Sequence, residues 1–174
     1  MEKPSTARIA LKWGLISAVI SILYSVIQIV IGKYQDPDLN TLNMIFGLVV
    51  GVGILIYALK EFRTLNNGYL SYGEGLGVGT LTSGVSGVVA GLFSFVYLKF
   101  IDPSSLGKVM AQARDKWEEQ GLSEEQIEQA EKFGSMFTSP GAIFVFSVFF
   151  ALLFGFILSL IIAAVMRREK PVFE

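Results

Sequence analysis

An uncharged stretch rich in small residues, from Leu76 to Leu98, constrains this chain more than any other part of its sequence. It is about as long as the roughly 20 apolar residues that cross a bilayer as a helix. A helix through this region would carry small residues on one side, at alternating steps of four and three: Gly73, Gly77, Thr80, Gly84, Gly87, Gly91 and Ser94. Helices in lipid associate by close backbone approach, so this helix-packing seam predicts a central bundle helix with left-handed crossings.

Three further apolar runs are also long enough to cross a bilayer. Together with the first stretch they predict spans at about 9–32, 42–59, 76–98 and 142–166, within one membrane domain of residues 1–174. The first run could instead be a secretory signal peptide. It is longer than the usual apolar region of roughly 7–15 residues and no A-x-A-like site follows it, so we expect an uncleaved helix.

Small residues line one face of the other spans as well. The last span has them at every fourth position: Ser147, Ala151, Gly155, Ser159 and Ala163. The first span has a weakly polar series: Gly14, Ser17, Ser21, Ser25 and Gln28. The second contains Gly47 and Gly51 at G-x-x-x-G spacing. We expect each span to pack against others, although such faces can also join two copies of a chain.

Composition excludes several classes of chemistry. The chain contains neither cysteine nor histidine, so it forms no disulfide and has no thiolate or imidazole for catalysis or metal binding. Its formal net charge of −1 gives no basic field for nucleic acid. We predict no cofactor, no metal and no catalytic residue.

A polar insert at about 104–138 separates the third and fourth spans. It predicts two amphipathic helices, divided at Gly121, the second beginning with a capping box at Ser123 and Gln126. Its candidate interaction surface combines apolar and acidic side chains: Trp117, Glu124, Glu128, Ile127 and Phe133. The insert could dock a partner, or it could rest on the bundle or the bilayer interface. The predicted fold is therefore an all-α, four-transmembrane-helix bundle with a two-helix extramembranous insert.

Three polar residues in or beside the spans form a candidate polar site: Gln28, Asn43 and Glu74. Glu74 follows Ser71 at capping-box spacing, so a helix cap competes with a proton-coupling or ligand-binding role. For Gln28, an interhelical hydrogen bond is the commoner interpretation, and lining of a pathway is the alternative.

Positive residues near span ends predict the orientation of the chain. The side that holds both termini has more of them: Lys3, Arg8, Lys12, Lys60, Arg63, Arg167, Arg168 and Lys170. We therefore expect both termini in the cytoplasm and the insert on the opposite side of the membrane.

Several segments resemble one bacterial family, DUF4199, a domain of unknown function. They are NNGYLSYGEGLGVG, LSEEQIEQA, Pro140-Gly141 and GFILSLIIAAVMRR, of which the turn from Gly68 to Glu74 and the run from Ser123 to Gln129 are the most specific. Gly75-Leu76-Gly77 departs from the bulkier or basic residues expected there. The resemblance implies a small multi-span protein of a Bacteroidetes inner membrane, hence a periplasmic insert. It implies no activity, ligand or catalytic residue.

Three classes of function remain compatible with these features. The first is a non-enzymatic structural or accessory subunit that meets a membrane-protein partner through its insert, while the small-residue seam could instead join two copies of the chain. The second is a small transporter or channel whose glycine-rich third helix is discontinuous, lined by Gln28, Asn43, Glu74 and Thr80. The third, an intramembrane enzyme, has only the generic combination of Lys12 with Ser17 or Ser21 to support it.

Overall fold

A computed structural model describes residues 4–34 and 36–170, and its architecture is all-helical. Its six α-helices are α1 (Thr6–Val30), α2 (Asn40–Leu65), α3 (Tyr72–Val96), α4 (Ser104–Glu119), α5 (Glu124–Phe137) and α6 (Pro140–Met166). A 3₁₀ turn, Pro37–Leu39, precedes α2, and a π-helical turn, Tyr97–Ile101, extends α3. Lys3 and the outermost residues of the predicted domain lie outside the described part of the chain.

The four predicted spans are present as helices long and apolar enough to cross a membrane: α1, α2, α3 with its π-helical extension, and α6. The α2 helix continues to Leu65, beyond the predicted end at 59, because Lys60, Glu61 and Arg63 end the apolar run but not the helix. The helices α4 and α5 fall within the predicted insert. Their location outside the bilayer stays a prediction.

Serine side chains cap the N-termini of four of the helices. Ser5 and Ser139 accept hydrogen bonds from backbone amides in the first turns of α1 and α6. Ser71 with Glu74, and Ser123 with Gln126, form the two capping boxes predicted from the sequence. Each box satisfies two backbone donors that a helix end would otherwise leave unpaired, which fixes where α3 and α5 start.

The helix α3 lies at the centre of the bundle, in contact with α1, α2 and α6. Its most extensive contact is with α6. It is a regular α-helix from Tyr72 onward, so the glycine-rich entry at 73–79 is not discontinuous. The only irregular part of this span among the described residues is the π-helical turn at its opposite end. The discontinuous third helix expected for a transporter or channel is therefore not present in α3.

Small residues at every fourth position of α3 face small residues at every fourth position of α6. A Cβ placed on Gly75 would lie 2.7 Å from Ala163 Cβ, and one on Gly87 would lie 2.5 Å from Ala151 Cβ. The facing pairs, in antiparallel order, are Gly75 with Ala163, Gly79 with Ser159, Ser83 with Gly155, Gly87 with Ala151, and Gly91 with Ser147. The predicted face of α6 is therefore confirmed in full.

The predicted seam of α3 is correct only in its second half. Gly84, Gly87 and Gly91 approach α6, whereas a Cβ on Gly73 would have no neighbour within 4 Å and one on Gly77 would meet only Thr6 Cγ2, at 4.0 Å. Thr80 is half-buried and lies outside the step-of-four series. Contact at steps of four, longer than the helical period of 3.6, is typical of right-handed crossings, so the predicted left-handed period does not describe this interface.

The helix α1 packs on α3 through the small face predicted for it. A Cβ on Gly14 would lie 2.6 Å from Val85 Cβ and 2.8 Å from the carbonyl oxygen of Thr82. One turn further along, Ser86 donates a hydrogen bond to Ser17 Oγ at 3.0 Å. Close backbone approach and a hydroxyl pair are both common ways of holding helices together in lipid.

Candidate functional site

A polar cluster joins the C-terminal part of α1 to the first turn of α2. The Gln28 side-chain amide donates to Asn43 Oδ1 at 2.6 Å, and the Tyr24 hydroxyl donates to the same oxygen at 2.8 Å. Gln28 is buried, with 6% of its surface exposed. The interhelical hydrogen bond expected for Gln28 is therefore confirmed, and two residues of the predicted polar site do lie together.

This cluster forms part of the wall of a cavity of about 480 Å³ between α1 and α2, to which α4 contributes Val109. We call it the Gln28 cavity. Its wall consists of hydroxyl, carboxamide, aromatic and small apolar groups: Ser21, Tyr24, Ser25, Gln28, Tyr34, Asn40, Asn43, Phe46, Gly47 and Val109. None of these side chains carries a formal charge. The cavity can therefore offer hydrogen bonds and ring faces, but no ion pair.

Two smaller cavities lie next to the Gln28 cavity, because neighbouring cavities share lining residues. The first, of about 200 Å³, shares Tyr34 and Val109 with it. The other, of about 210 Å³, shares Asp36 and Gln112 with the cavity of about 200 Å³. The lining residues of the three cavities together extend from α1 and α2 to the α1–α2 turn and α4.

The outer two cavities are rich in carboxylates. Five acidic side chains and two lysines line them: Asp36, Asp38, Asp102, Asp115 and Glu119, with Lys108 and Lys116. Ser104 and Ser105 each donate to the Asp102 carboxylate at 2.5 Å, and these bonds lower the pKa of Asp102 below its usual value. Hydrogen bonding to the ionised form has this effect on a carboxyl group. We call this region the acidic mouth.

Glu74, the third residue of the predicted polar site, lies at the opposite end of the bundle. Its carboxylate accepts a bond from the Ser71 backbone amide at 2.9 Å, and its own amide donates to Ser71 Oγ at 3.3 Å. The helix-cap interpretation is confirmed. The three candidate residues therefore do not form one site, because α1 and α2 bring only Gln28 and Asn43 together.

Arg114 joins the two helices of the insert. It donates to Glu118 at 3.0 Å, to Glu131 at 3.1 Å, and also to Glu124. These bonds, led by that to Glu124, raise the pKa of Arg114. One guanidinium thus links the last turns of α4 to the first two turns of α5, which orders the insert as a hairpin.

The candidate interaction surface on the insert is only partly accessible. Ile127 is 1% exposed, so its assignment to a docking surface is wrong. Glu124 is engaged by Arg114, and Trp117 is half-buried. Glu128 and Phe133 are exposed, as the prediction required.

A row of phenylalanine rings runs from α5 onto α6. Phe133 contacts Phe137, Phe137 contacts Phe146, and Phe150 and Phe154 continue the row, with successive centroid distances of 4.9, 5.2, 6.3 and 6.5 Å. We call it the phenylalanine row. At its α5 end Phe133 is 66% exposed and neighbouring Met136 is 64% exposed. The row extends the apolar outer face of α6 onto the insert.

Sequence reasoning missed one further polar cluster, at the end of the bundle that holds both described chain ends. Glu61 Oε2 accepts bonds from Lys12 Nζ and Trp13 Nε1, each at 2.7 Å. The available signal was the presence of opposite charges near the corresponding ends of two antiparallel spans. The cluster ties α1 to α2 where both helices would leave the bilayer.

The sequence pattern of the family described as "Protein of unknown function (DUF4199)" matches residues 12–168. The chain belongs to this family. The match covers the four spans and the insert together, so the resemblance inferred from the sequence motifs is confirmed over most of the chain. No curated protein and no solved structure matches the chain.

Proposed function

We propose that this DUF4199 protein is a non-enzymatic accessory subunit of a bacterial inner-membrane assembly, which binds a membrane-protein partner through the exposed side of α5. The observation that carries the proposal is the α5 end of the phenylalanine row. Phe133 and Met136 are each about two-thirds exposed on a helix that follows the third span, at 66% and 64%. Exposed apolar groups of this kind mark contact with a protein or with the membrane surface, and the proposal assigns them to a protein.

The acidic part of the insert supports the same proposal. Arg114 holds α4 and α5 together, so the exposed carboxylate of Glu128 and the ring of Phe133 are presented by one ordered hairpin. Protein interfaces commonly combine an aromatic anchor with a polar rim. A partner with an apolar groove and basic residues beside it would complement this surface.

The packing of α3 argues against transport along the glycine-rich helix. Its glycines are packed against α6. A Cβ on Gly75, Gly84 or Gly87 would lie within 2.5–2.7 Å of a side-chain carbon on α6. A pathway there would require these helices to separate. The accessory role needs no such movement, and it is therefore the function that the geometry supports best.

We further propose that both termini are cytoplasmic and that the insert is periplasmic. The described basic residues near the terminal ends of the spans include Arg8, Lys60, Arg63 and Arg167. An excess of positive residues in short segments next to spans favours the cytoplasmic side.

Co-purification in mild detergent tests the accessory role. The variant Phe133→Ser/Met136→Ser removes the apolar α5 surface, and Ala111→Ser/Gln120→Ser changes two exposed residues of the same hairpin as a matched control. We expect a stoichiometric partner to be retained by the parent and by the control but lost from the α5 variant. Recovery of the parent alone, or of a partner that also binds the α5 variant, would contradict the proposal. Recovery of a second copy of this chain as the only companion would also contradict it.

A further inference from the structure

We propose that the Gln28 cavity is a water-accessible binding site for a small uncharged solute that both donates and accepts hydrogen bonds, entered through the acidic mouth. This inference does not depend on the accessory role proposed above. It rests on the chemistry of the cavity wall, on the three neighbouring cavities and on the charges of the side chains that line them.

The cavity wall has unused hydrogen-bonding capacity. Asn43 Oδ1 already accepts from Gln28 and Tyr24. The other polar atoms of these two side chains, Asn43 Nδ2 and Gln28 Oε1, make no hydrogen bond to another described residue. A donor and an acceptor are thus left at one wall of a cavity of about 480 Å³. Binding sites for small molecules commonly combine a few such polar groups with aromatic surface.

Aromatic rings supply the apolar surface of this site. Tyr24 and Phe46 are stacked with their centroids 3.8 Å apart, and both line the cavity with Tyr34. The rings define flat walls next to the carboxamides. A solute with one polar edge and one flatter apolar face would satisfy both kinds of surface.

Charge along the path selects against ions. A charged solute in the Gln28 cavity would give up hydration without gaining a counter-charge, because no lining side chain is ionised. The acidic mouth, with five carboxylates and two lysines, further disfavours anions before they reach the cavity. An uncharged solute avoids both penalties.

Single cysteines provide a direct test, because the chain has none of its own. Ser25→Cys places a thiol on the cavity wall, and Gln120→Cys places a reference thiol on the exposed hairpin. Three methanethiosulfonate reagents are applied in water to the full chain in lipid nanodiscs: an uncharged hydroxyethyl, an anionic sulfonatoethyl and a cationic trimethylammonioethyl form. Relative to the reference thiol, we expect the uncharged reagent to label Ser25→Cys roughly tenfold or more faster than the anionic one. We also expect it to react faster than the cationic one.

A second pair of substitutions distinguishes the aqueous path from entry through lipid. Val109 lines both the Gln28 cavity and the cavity next to it, so Val109→Trp should slow labelling by the uncharged reagent. Ala111→Trp, at an exposed position on the same helix, should not. Equal labelling rates in the two variants would overturn the proposed path. Labelling by the anionic reagent as fast as by the uncharged one would overturn the proposed selectivity.

Acetamide tests binding itself, because it is uncharged and carries one donor group and one acceptor. We expect acetamide to slow labelling of Ser25→Cys in a saturable manner, whereas acetate at the same concentration does not. Protection that is absent, or that rises without saturation, would overturn the site. If Ser25→Cys does not fold, Ser21→Cys replaces it on the same wall.

Discussion

At the scale of single residues, the Tyr24 hydroxyl and the carboxamides of Gln28 and Asn43 form the hydrogen-bonded polar cluster between α1 and α2. Asn43 Oδ1 accepts two hydrogen bonds from α1, so it is the acceptor on which the α1–α2 cluster depends. The sequence singled out Gln28 and Asn43 as isolated polar groups near span ends. It could not pair them, because a turn of unknown geometry separates α1 from α2.

Replacing the shared acceptor should therefore destabilise the protein. Asn43→Leu leaves the Gln28 amide and the Tyr24 hydroxyl without their partner, and we expect a loss of about 0.6–2 kcal/mol, which spans the values for interhelical hydrogen bonds in membranes. Thermal unfolding in mild detergent measures the change. Asn40→Leu is the control, because Asn40 lines the same cavity without a side-chain hydrogen bond to another described residue. Equal melting temperatures for the two variants would contradict the assigned role of Asn43.

At the scale of elements, the two faces of the α3–α6 interface differed in how well the sequence defined them. On α6, small residues at steps of four stand among large apolar residues, so the face could be identified directly. On α3, glycines occupy adjacent faces at Gly73, Gly75, Gly77 and Gly79. A glycine has no side chain to distinguish a packed face from an open one, so the sequence does not separate the alternating series from the step-of-four series that packs on α6.

A larger side chain in the middle of this interface should separate the helices. Gly87→Leu places atoms where Ala151 Cβ and the Val148 backbone lie, and overpacking of this kind costs about 1–3 kcal/mol or more. The matched control is Gly53→Leu, because a Cβ on Gly53 would have no neighbour within 4 Å. We expect a lower melting temperature for Gly87→Leu only. A control that melts as early as Gly87→Leu would indicate a general cost of leucine rather than a packed interface.

The insert depends on one residue to a greater degree than the sequence indicated. The amphipathic patterns and the capping box predicted both helices, but not their connection through Arg114. Arg114→Met removes the ion pairs that join α4 to α5, so we expect lower hydrogen-exchange protection in α5. Each exposed ion pair contributes only about 0.2–1 kcal/mol, so protection in α1 and α3 should stay unchanged. Lys116→Met, on the same helix but outside this network, should leave α5 unchanged. Equal protection in both variants would show that apolar contacts alone hold the hairpin.

At the scale of the whole molecule, hydropathy and charge predicted the four spans and their order, because both are properties of contiguous sequence. The Gln28 cavity and the acidic mouth are different. They assemble residues of α1, the α1–α2 turn, α2 and α4, and Val109 of the insert lines the same cavity as Ser25 of the first span only in the folded chain. No spacing along the sequence carries that information.

The proposed orientation is testable with Gln120→Cys and one further cysteine variant. In intact spheroplasts, a membrane-impermeant thiol reagent should label Gln120→Cys on α4–α5 and should label Glu169→Cys, beyond α6, only after permeabilisation. Labelling of both sites in intact cells would contradict a four-span topology, because an even number of crossings places both ends of the chain on the side opposite the insert. The reverse pattern would invert the assigned orientation.

The bundle is organised by the packing of α3 on α6 through small residues at steps of four. The most direct measurement compares the melting temperatures of Gly75→Ala and Gly73→Ala in mild detergent. These glycines lie two residues apart on α3, but a Cβ on Gly75 would lie 2.7 Å from Ala163 Cβ and one on Gly73 would meet nothing within 4 Å. We expect a clear loss of stability for Gly75→Ala and no loss for Gly73→Ala, since alanine otherwise favours a helix over glycine. Equal melting temperatures, or a loss confined to Gly73→Ala, would contradict this packing.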